Sequence, residues 1–380
     1  MDRLQIEERL MLMLSQAAPS ERIMQEALSL LSNNVLSVNY DRLLELANLN
    51  RVTPLLYRNL STLQLVPQEI IARLRTHYIT TVQRNAAHLE ETLQLVGILN
   101  RAGVRSIPLK GSFAAETLLG DMGLYPTSDV DLLIRWDDLA RSRESLIAAG
   151  YSPGREVSEQ DQLSGSYHLS FHGSNTTMEL HWNLVRRYFE APSAYWWEDT
   201  GEMAFRGQTF PCLSDEKYIL YLIFRLFSKA FMPLHHFVLM PALLNQKFDW
   251  NKLMVSAQQL RMRRLSLFTL KLLHDLFGIA IPHQITTRHL FGYGFLRQFV
   301  IRGLFSQEVK PHLRMAALLL LLDSPLEIVK ALVRRVLPPT AEIRLRYNIP
   351  GSSLKILPYY LLNPILMFCR KTKRSSSPGK

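Results

Sequence analysis

Asp129 and Asp131 are the residues best placed to do chemistry in this 380-residue chain. They stand two apart in the run Asp129-Val130-Asp131-Leu132-Leu133-Ile134. On a β-strand, side chains two apart leave the same face. Two carboxylates held side by side repel each other, and a divalent cation between them removes that cost. A bare Asp-x-Asp is ordinarily a pair of solvated charges on an edge strand, but three features set this one apart. Val130, Leu132, Leu133 and Ile134 make its strand apolar enough to be central. Upstream, Lys110-Gly111-Ser112 breaks the chain before a helical run from Phe113 to Leu119, and the free N–H groups of a helix N-terminus bind phosphate. Downstream, Thr177-Met178-Glu179-Leu180-His181-Trp182 offers a third acidic strand, with Glu179 as its carboxylate. Together these residues read as a triphosphate cradle, two metal-binding aspartates and a third metal ligand.

The elements that must hold them follow from the pattern around them. Ser106 to Trp136 reads as strand, glycine turn, helix, turn-rich loop and strand. Asp137 or Asp138 caps a helix to Ala149, and Gly150 stops it. Tyr151 to Gly165 reads as a polar loop. Tyr167 to His172 alternates like a half-buried strand, and Gly173-Ser174-Asn175 turns the chain back into Thr177 to Trp182. That hairpin puts Glu179 and His181 on one face and Met178, Leu180 and Trp182 on the other. Residues 3–100 read as helices. Pro67 opens a long one from Gln68 to Asn100, whose Ile71, Leu74, Tyr78 and Val82 recur every three or four residues. From Ser214 the chain turns helical again, through runs at 220–227, 249–264, 265–277, 286–304, 311–322 and 325–336. The expected fold is α+β: a small mixed-sheet core at 104–200, between a helical N-terminal region at 1–103 and a helical C-terminal domain at 201–350. An apolar and basic tail follows at 351–380.

Other candidate chemistries are weaker. His168, His172 and His181 fall near the same hairpin, but strand histidines are ordinarily structural or partly exposed. They are read so here, with His181 as a neighbour that orients a phosphate or a ligand carboxylate. Arg186, Arg187 and the aromatic segment Tyr188 to Trp197 read as packing between domains in preference to a substrate loop. No nucleophile elbow, zinc-protease helix or P-loop motif is present.

Hydrophobic residues make up 47% of the chain and charged ones 20%, as in an ordinary globular protein. Two distant cysteines, Cys212 and Cys369, supply neither a disulfide framework nor zinc spacing, which points to a reducing, cytoplasmic setting. The N-terminus is amphipathic and charged, so a secretory signal is not expected. Charge is uneven: residues 261–380 hold 20 Lys plus Arg against 5 Asp plus Glu, while the first 260 hold 24 against 28. Such asymmetry suits an anionic partner or a solvated basic surface. The tail from Leu354 to Arg374 joins an apolar, Tyr-bearing run, broken by Pro358 and Pro364, to a basic cluster. It is too interrupted to span a bilayer. It either packs across the helical domain or lies weakly on an anionic surface such as the inner membrane, with RNA as a further anionic partner.

Gly-Ser, then Asp-x-Asp, then a later strand carboxylate resembles the polymerase-β-like nucleotidyltransferases. The wording Leu109-Lys110-Gly111, Asp129 to Ile134 and Glu179-Leu180-His181-Trp182 is similar to a bacterial nucleotidyltransferase family within that superfamily, over about residues 104–185. The loop Tyr125-Pro126-Thr127-Ser128 lacks the Arg that members usually carry there, which makes this a divergent member. The resemblance implies a metal-dependent enzyme that moves a nucleotidyl group from an NTP such as ATP to an acceptor hydroxyl and releases pyrophosphate. Asp129, Asp131 and Glu179 then hold Mg²⁺ or Mn²⁺, and Lys110, Gly111 and Ser112 bind the nucleotide phosphates. The acceptor is left open among a small molecule, a sugar, a protein and an RNA end. The alternative is a relative that binds nucleotide with little turnover, or an accessory protein at a membrane surface.

Overall fold

A computed structural model describes residues 4–34, 37–154, 166–173, 176–185, 188–189, 191–306, 310–347, 349 and 356–360. Four helices open it: α1 (Ile6–Leu14), α2 (Glu21–Asn33), α3 (Tyr40–Leu49) and α4 (Thr53–Leu60). Local chemistry starts them. Ser20 and Asn39 accept hydrogen bonds from the N–H groups of Ile23 and Arg42, and Pro54 sits in the first turn of α4. The 34-residue α5 (Gln68–Arg101) follows. Leu74, Thr81, Asn85, His88, Thr92, Leu95 and Leu99 are buried along it at steps of three, four or seven residues, so one stripe of the helix meets the core along its length.

The central sheet is built from β1 (Ser106–Pro108), α6 (Ser112–Leu119), β2 (Asp129–Ile134), α7 (Leu139–Ala148), β3 (Ser152–Pro153), β4 (His168–His172) and β5 (Thr177–His181). Its five strands run in the order β1-β2-β5-β4-β3. β2 and β5 are parallel and the other neighbours antiparallel. β2 is therefore central, flanked by β1 and β5. Its two faces differ because side chains alternate. Val130, Leu132 and Ile134 pack with Met178, Leu180, Trp182, Leu169 and Phe171 against Leu89, Leu95 and Leu99 of α5 and Leu146 of α7. Asp129, Asp131, Glu179 and His181 take the opposite face. The protein is thus α+β, a mixed sheet between helical regions.

Two elements differ from the sequence reading. The segment before Ser214, counted within a helical domain, contains a hairpin of β6 (Gly201–Phe205) and β7 (Gln208–Cys212). Its turn is Arg206-Gly207, both at positive φ, 49° and 75°. That is the conformation a two-residue hairpin turn needs, but Arg-Gly lacks the Asn-Gly or Asp-Gly signal that announces it. The helix expected over 286–304 is two, His283–Thr286 and Tyr293–Ser306, separated at Gly292, whose φ of 78° no helix interior allows.

α8 (Asp215–Ser228) follows the hairpin, and its Ile219, Tyr221, Ile223 and Leu226 share one apolar cluster with α1, α3, α4 and the later helices. Asn50, fully buried after α3, is a polar tie within that cluster. Its amide donates to the Leu304 carbonyl at 2.8 Å, and its side-chain and backbone oxygens accept from the N–H groups of Leu234 and His235, both at 3.1 Å. Most of the loop at 151–165, Arg186 and Arg187, and the tail except 356–360 lie outside the described residues. Among the described residues no helix is long and apolar enough to cross a membrane.

The loop between α6 and β2 is fixed from α5. Asn85, with no exposed surface, donates to the carbonyls of Met122 at 2.5 Å and Tyr125 at 2.8 Å, and accepts from the Thr127 hydroxyl at 2.9 Å. Asn85→Ala leaves these groups buried and unpaired, each costing about 1–3 kcal/mol. We expect a loss of roughly 2–4 kcal/mol in denaturant unfolding, with the helical circular dichroism retained; a loss under about 0.5 kcal/mol would show that water replaces the amide.

Candidate active site

The β1–β2 pairing decides where the site forms. Pro108 lies opposite Leu132, and the Leu109 N–H donates to the Asp131 carbonyl at 3.0 Å. Tyr218 of α8 donates its hydroxyl to the Leu109 carbonyl. The chain then leaves the sheet with Lys110 directed over β2. Its ammonium lies 3.1 Å from Asp129 Oδ2 and touches Asp131 Oδ2. Asp131 is 1% exposed, whereas Asp129 is half-buried. Burial alone would discharge both members of the Lys110–Asp131 pair. Burial lowers the Lys110 pKa, but the carboxylates of Asp131 and Asp129 outweigh it and raise the net value. Burial raises that of Asp131, but Lys110 and His181 outweigh it and hold the carboxyl low.

Glu179 stands directly across from Asp131 on the parallel strand β5. Two residues on, His181 Nε2 lies 3.0 Å from Asp131 Oδ1 and 3.3 Å from Glu179 Oε2. Burial pushes the Glu179 pKa up, but His181, aided by His168, holds it down to about 2. Burial opposes charge on His181 too, yet its bonds to Asp131 and Glu179 raise its pKa. Carboxylate oxygens of Asp129, Asp131 and Glu179 lie within 4.8 Å of one another. The divalent cation that the resemblance implies fits this set: three hard oxygen donors suit Mg²⁺ or Mn²⁺, and the Lys110 ammonium already marks where positive charge is stabilised.

Beside the carboxylates opens a cavity of about 290 Å³. Gly111 and Asp129 form one wall. Gly111 has φ 81°, a conformation that disfavours any side chain, although a Cβ there would make only ordinary contact, 3.5 Å from the Asp129 carbonyl. Ser112, the first residue of α6, is 2% exposed and lies behind this wall. The other walls bring residues that sequence spacing did not assign: Arg51 from the α3–α4 turn, Arg225 and Lys229 at the end of α8, and His235 and His236. With Lys110 they place four cations around one space. Burial lowers the Lys229 pKa, and the charges of Arg225 and Lys110 lower it further. Such crowding is relieved by an anion. Arg51 donates to the Pro126 carbonyl at 3.1 Å, so a guanidinium does reach the loop before β2, from 75 residues upstream. The one available signal, Arg225 and Lys229 four apart on a helix, has no link to Asp129 until the chain folds.

A family model described as uncharacterised nucleotidyltransferase matches residues 37–278, a span that holds all of these side chains from Arg51 to His236. No curated protein and no solved structure matches the chain.

The buried imidazoles His235 and His236 set a direction for the pH dependence of stability. Burial, then the surrounding cations, lowers the His235 pKa from 6.5 to about 2; burial and His235 lower that of His236. Between those values the unfolded chain binds protons that the folded chain does not. The stabilisation is complete above pH 6.5 and is lost as pH falls below it. We expect unfolding free energy to drop by about 1.4 kcal/mol per pH unit for each imidazole between pH 6 and 5, and by about half the total slope in His236→Gln. Denaturant titrations at pH 7, 6 and 5 measure it; a flat profile would mean the pair is solvated.

Proposed function

The chain belongs to the uncharacterised nucleotidyltransferase family, and from that premise we propose that it transfers a nucleotidyl group from an NTP to an acceptor hydroxyl, releasing pyrophosphate. The observation that carries this reading is the adjacency of two features. A three-carboxylate cluster on β2 and β5 borders a cavity walled by a glycine turn and four cations. A triphosphate needs positive charge along its length and a carboxylate-bound metal at the reacting phosphorus.

Each side chain then has a task. Asp129, Asp131 and Glu179 hold Mg²⁺ or Mn²⁺, which when bound neutralises phosphate charge and lowers the pKa of the acceptor hydroxyl. Lys110 keeps the two aspartates charged and close together before that charge arrives. Gly111 lets the backbone approach the phosphates, with Ser112 behind it at the start of α6. Arg51, Arg225 and Lys229 bind the triphosphate, with ATP the first nucleotide to test. The phosphate cavity lies on the Asp129 side, and Glu179 and His168 are partly exposed on the other, so the acceptor approaches from the β4–β5 side. That acceptor is a sugar, another small molecule, a protein or an RNA end. A cytoplasmic setting fits an NTP substrate.

The Lys110 ammonium on both aspartates favours one second reading, a protein that binds nucleotide without transferring it. Labelled NTPs with Mg²⁺ or Mn²⁺ and cell extract separate the two: transfer yields a labelled product and pyrophosphate, binding alone yields neither. Asp129→Asn or Asp131→Asn removes a metal charge worth about 3 kcal/mol in the transition state, so transfer falls roughly a hundredfold or more while the fold persists. Lys229→Gln, at the exposed rim, raises the KM for NTP about fivefold with kcat little changed. Turnover like wild type in either aspartate variant would sink the assignment.

A further inference from the structure

The face that carries Asp131 and Glu179 also carries two imidazoles. β4 and β5 pair antiparallel with His168 opposite His181 and Ser170 opposite Glu179, so both rings rise from neighbouring strands toward the same carboxylate. His168 Nε2 lies 3.8 Å from Glu179 Oε1, and His181 Nε2 lies 3.3 Å from Glu179 Oε2 and 3.0 Å from Asp131 Oδ1. One ligand atom each from His168, Glu179 and His181 falls within 4.8 Å of the other two. The ring centroids of the two histidines are 5.1 Å apart, and Tyr167 packs edge-on to His168 at 4.9 Å and tilted on His181 at 5.6 Å, which limits their rotation. Their separation in sequence, on two strands, gives no ligand spacing that a linear motif would reveal.

We propose that His168, His181 and Glu179 form a nitrogen-bearing position with an open fourth site for a divalent transition metal of the Zn²⁺ or Co²⁺ class, beside the all-oxygen position of Asp129 and Asp131. Donors about 2.0–2.2 Å from a tetrahedral ion lie about 3.4 Å from one another. The two imidazole nitrogens lie 3.8 Å from Glu179 Oε1 and 3.3 Å from Glu179 Oε2, close to that value. Imidazole suits Zn²⁺ and its neighbours, whereas Mg²⁺ favours oxygen ligands and retained waters. A metal at Nε2 requires that nitrogen to be free of a proton, which passes to solvent, and leaves the other ring proton on Nδ1. With His168 and Glu179 partly exposed, the position is open to solvent on the acceptor side. The inference rests on Glu179 being a metal ligand, as in the proposed function, but needs no nucleotide and no transfer.

The test uses the full, chelator-stripped chain without nucleotide. Zn²⁺ is titrated by calorimetry and Co²⁺ by visible absorption, which is intense only for a four-coordinate ion. One ion per chain is expected, retained against an excess of Mg²⁺. His168→Gln, at the partly exposed ligand, weakens binding at least about tenfold and dims the Co²⁺ bands, while Asp129→Asn changes affinity by less than about threefold. Wild-type binding by His168→Gln, displacement by equimolar Mg²⁺, or equal losses in both variants would overturn the proposal. Because His181 is buried, its variant is read only after circular dichroism shows a native fold. Co²⁺ binding without nucleotide transfer counts against the proposed function alone, and Mg²⁺-driven transfer without Co²⁺ binding counts against this inference alone.

Discussion

Everything around the sheet answers one electrostatic constraint, two carboxylates fixed side by side on a central strand with one of them out of water. Asp131 cannot stay ionised at 1% exposure without a cation in contact. Lys110 and His181 supply that contact from opposite sides, one from the chain that leaves β1 and one from β5. Neither neighbour is placed by chance. The β1–β2 register sets Lys110, and the parallel pairing of β2 with β5 puts Leu133 opposite His181 and Asp131 opposite Glu179. The apolar reverse face, held by α5 and α7, keeps the strands from slipping, because a one-residue slip would turn the carboxylates onto apolar side chains and away from Lys110 and His181.

Cations gather a second time in the adjoining cavity, and there they have no carboxylate for each charge. Arg51, Arg225 and Lys229 come from three places in the chain and converge because the helical regions on both sides of the sheet share one apolar cluster. Asn50 shows how closely the convergence is specified. It ties the turn that carries Arg51 to the segment that carries His235 through buried hydrogen bonds, whose loss would strand several polar groups at once. All four cavity cations precede residue 261. The basic excess of the last 120 residues is therefore separate from the charge that builds this site.

Sequence alone was enough for the sheet strands that matter, because their signals are local. Asp129 to Ile134 combines same-face carboxylates with an apolar alternate face, and His168–His172 and Thr177–His181 alternate as paired strands. The long helix from Gln68 was legible for the same reason, a buried stripe repeating along its length. Local signals failed at Arg206-Gly207, where a hairpin turn is made with a residue that seldom adopts positive φ, and at Gly292, where one helical pattern is cut in two.

Residue types and short spacings thus determined which side chains could do chemistry: two aspartates, a glutamate and a glycine turn ahead of a helix. Tertiary structure alone decided their surroundings. The Arg51 guanidinium reaches the Pro126 carbonyl across 75 residues of chain, and two histidines on separate strands converge on Glu179. Periodicity reports which face of an element is buried, but not which distant element covers it. That choice is made by packing and by the need to pair buried charge, and both are settled only when the helices from the two sides of the sheet close on the same core.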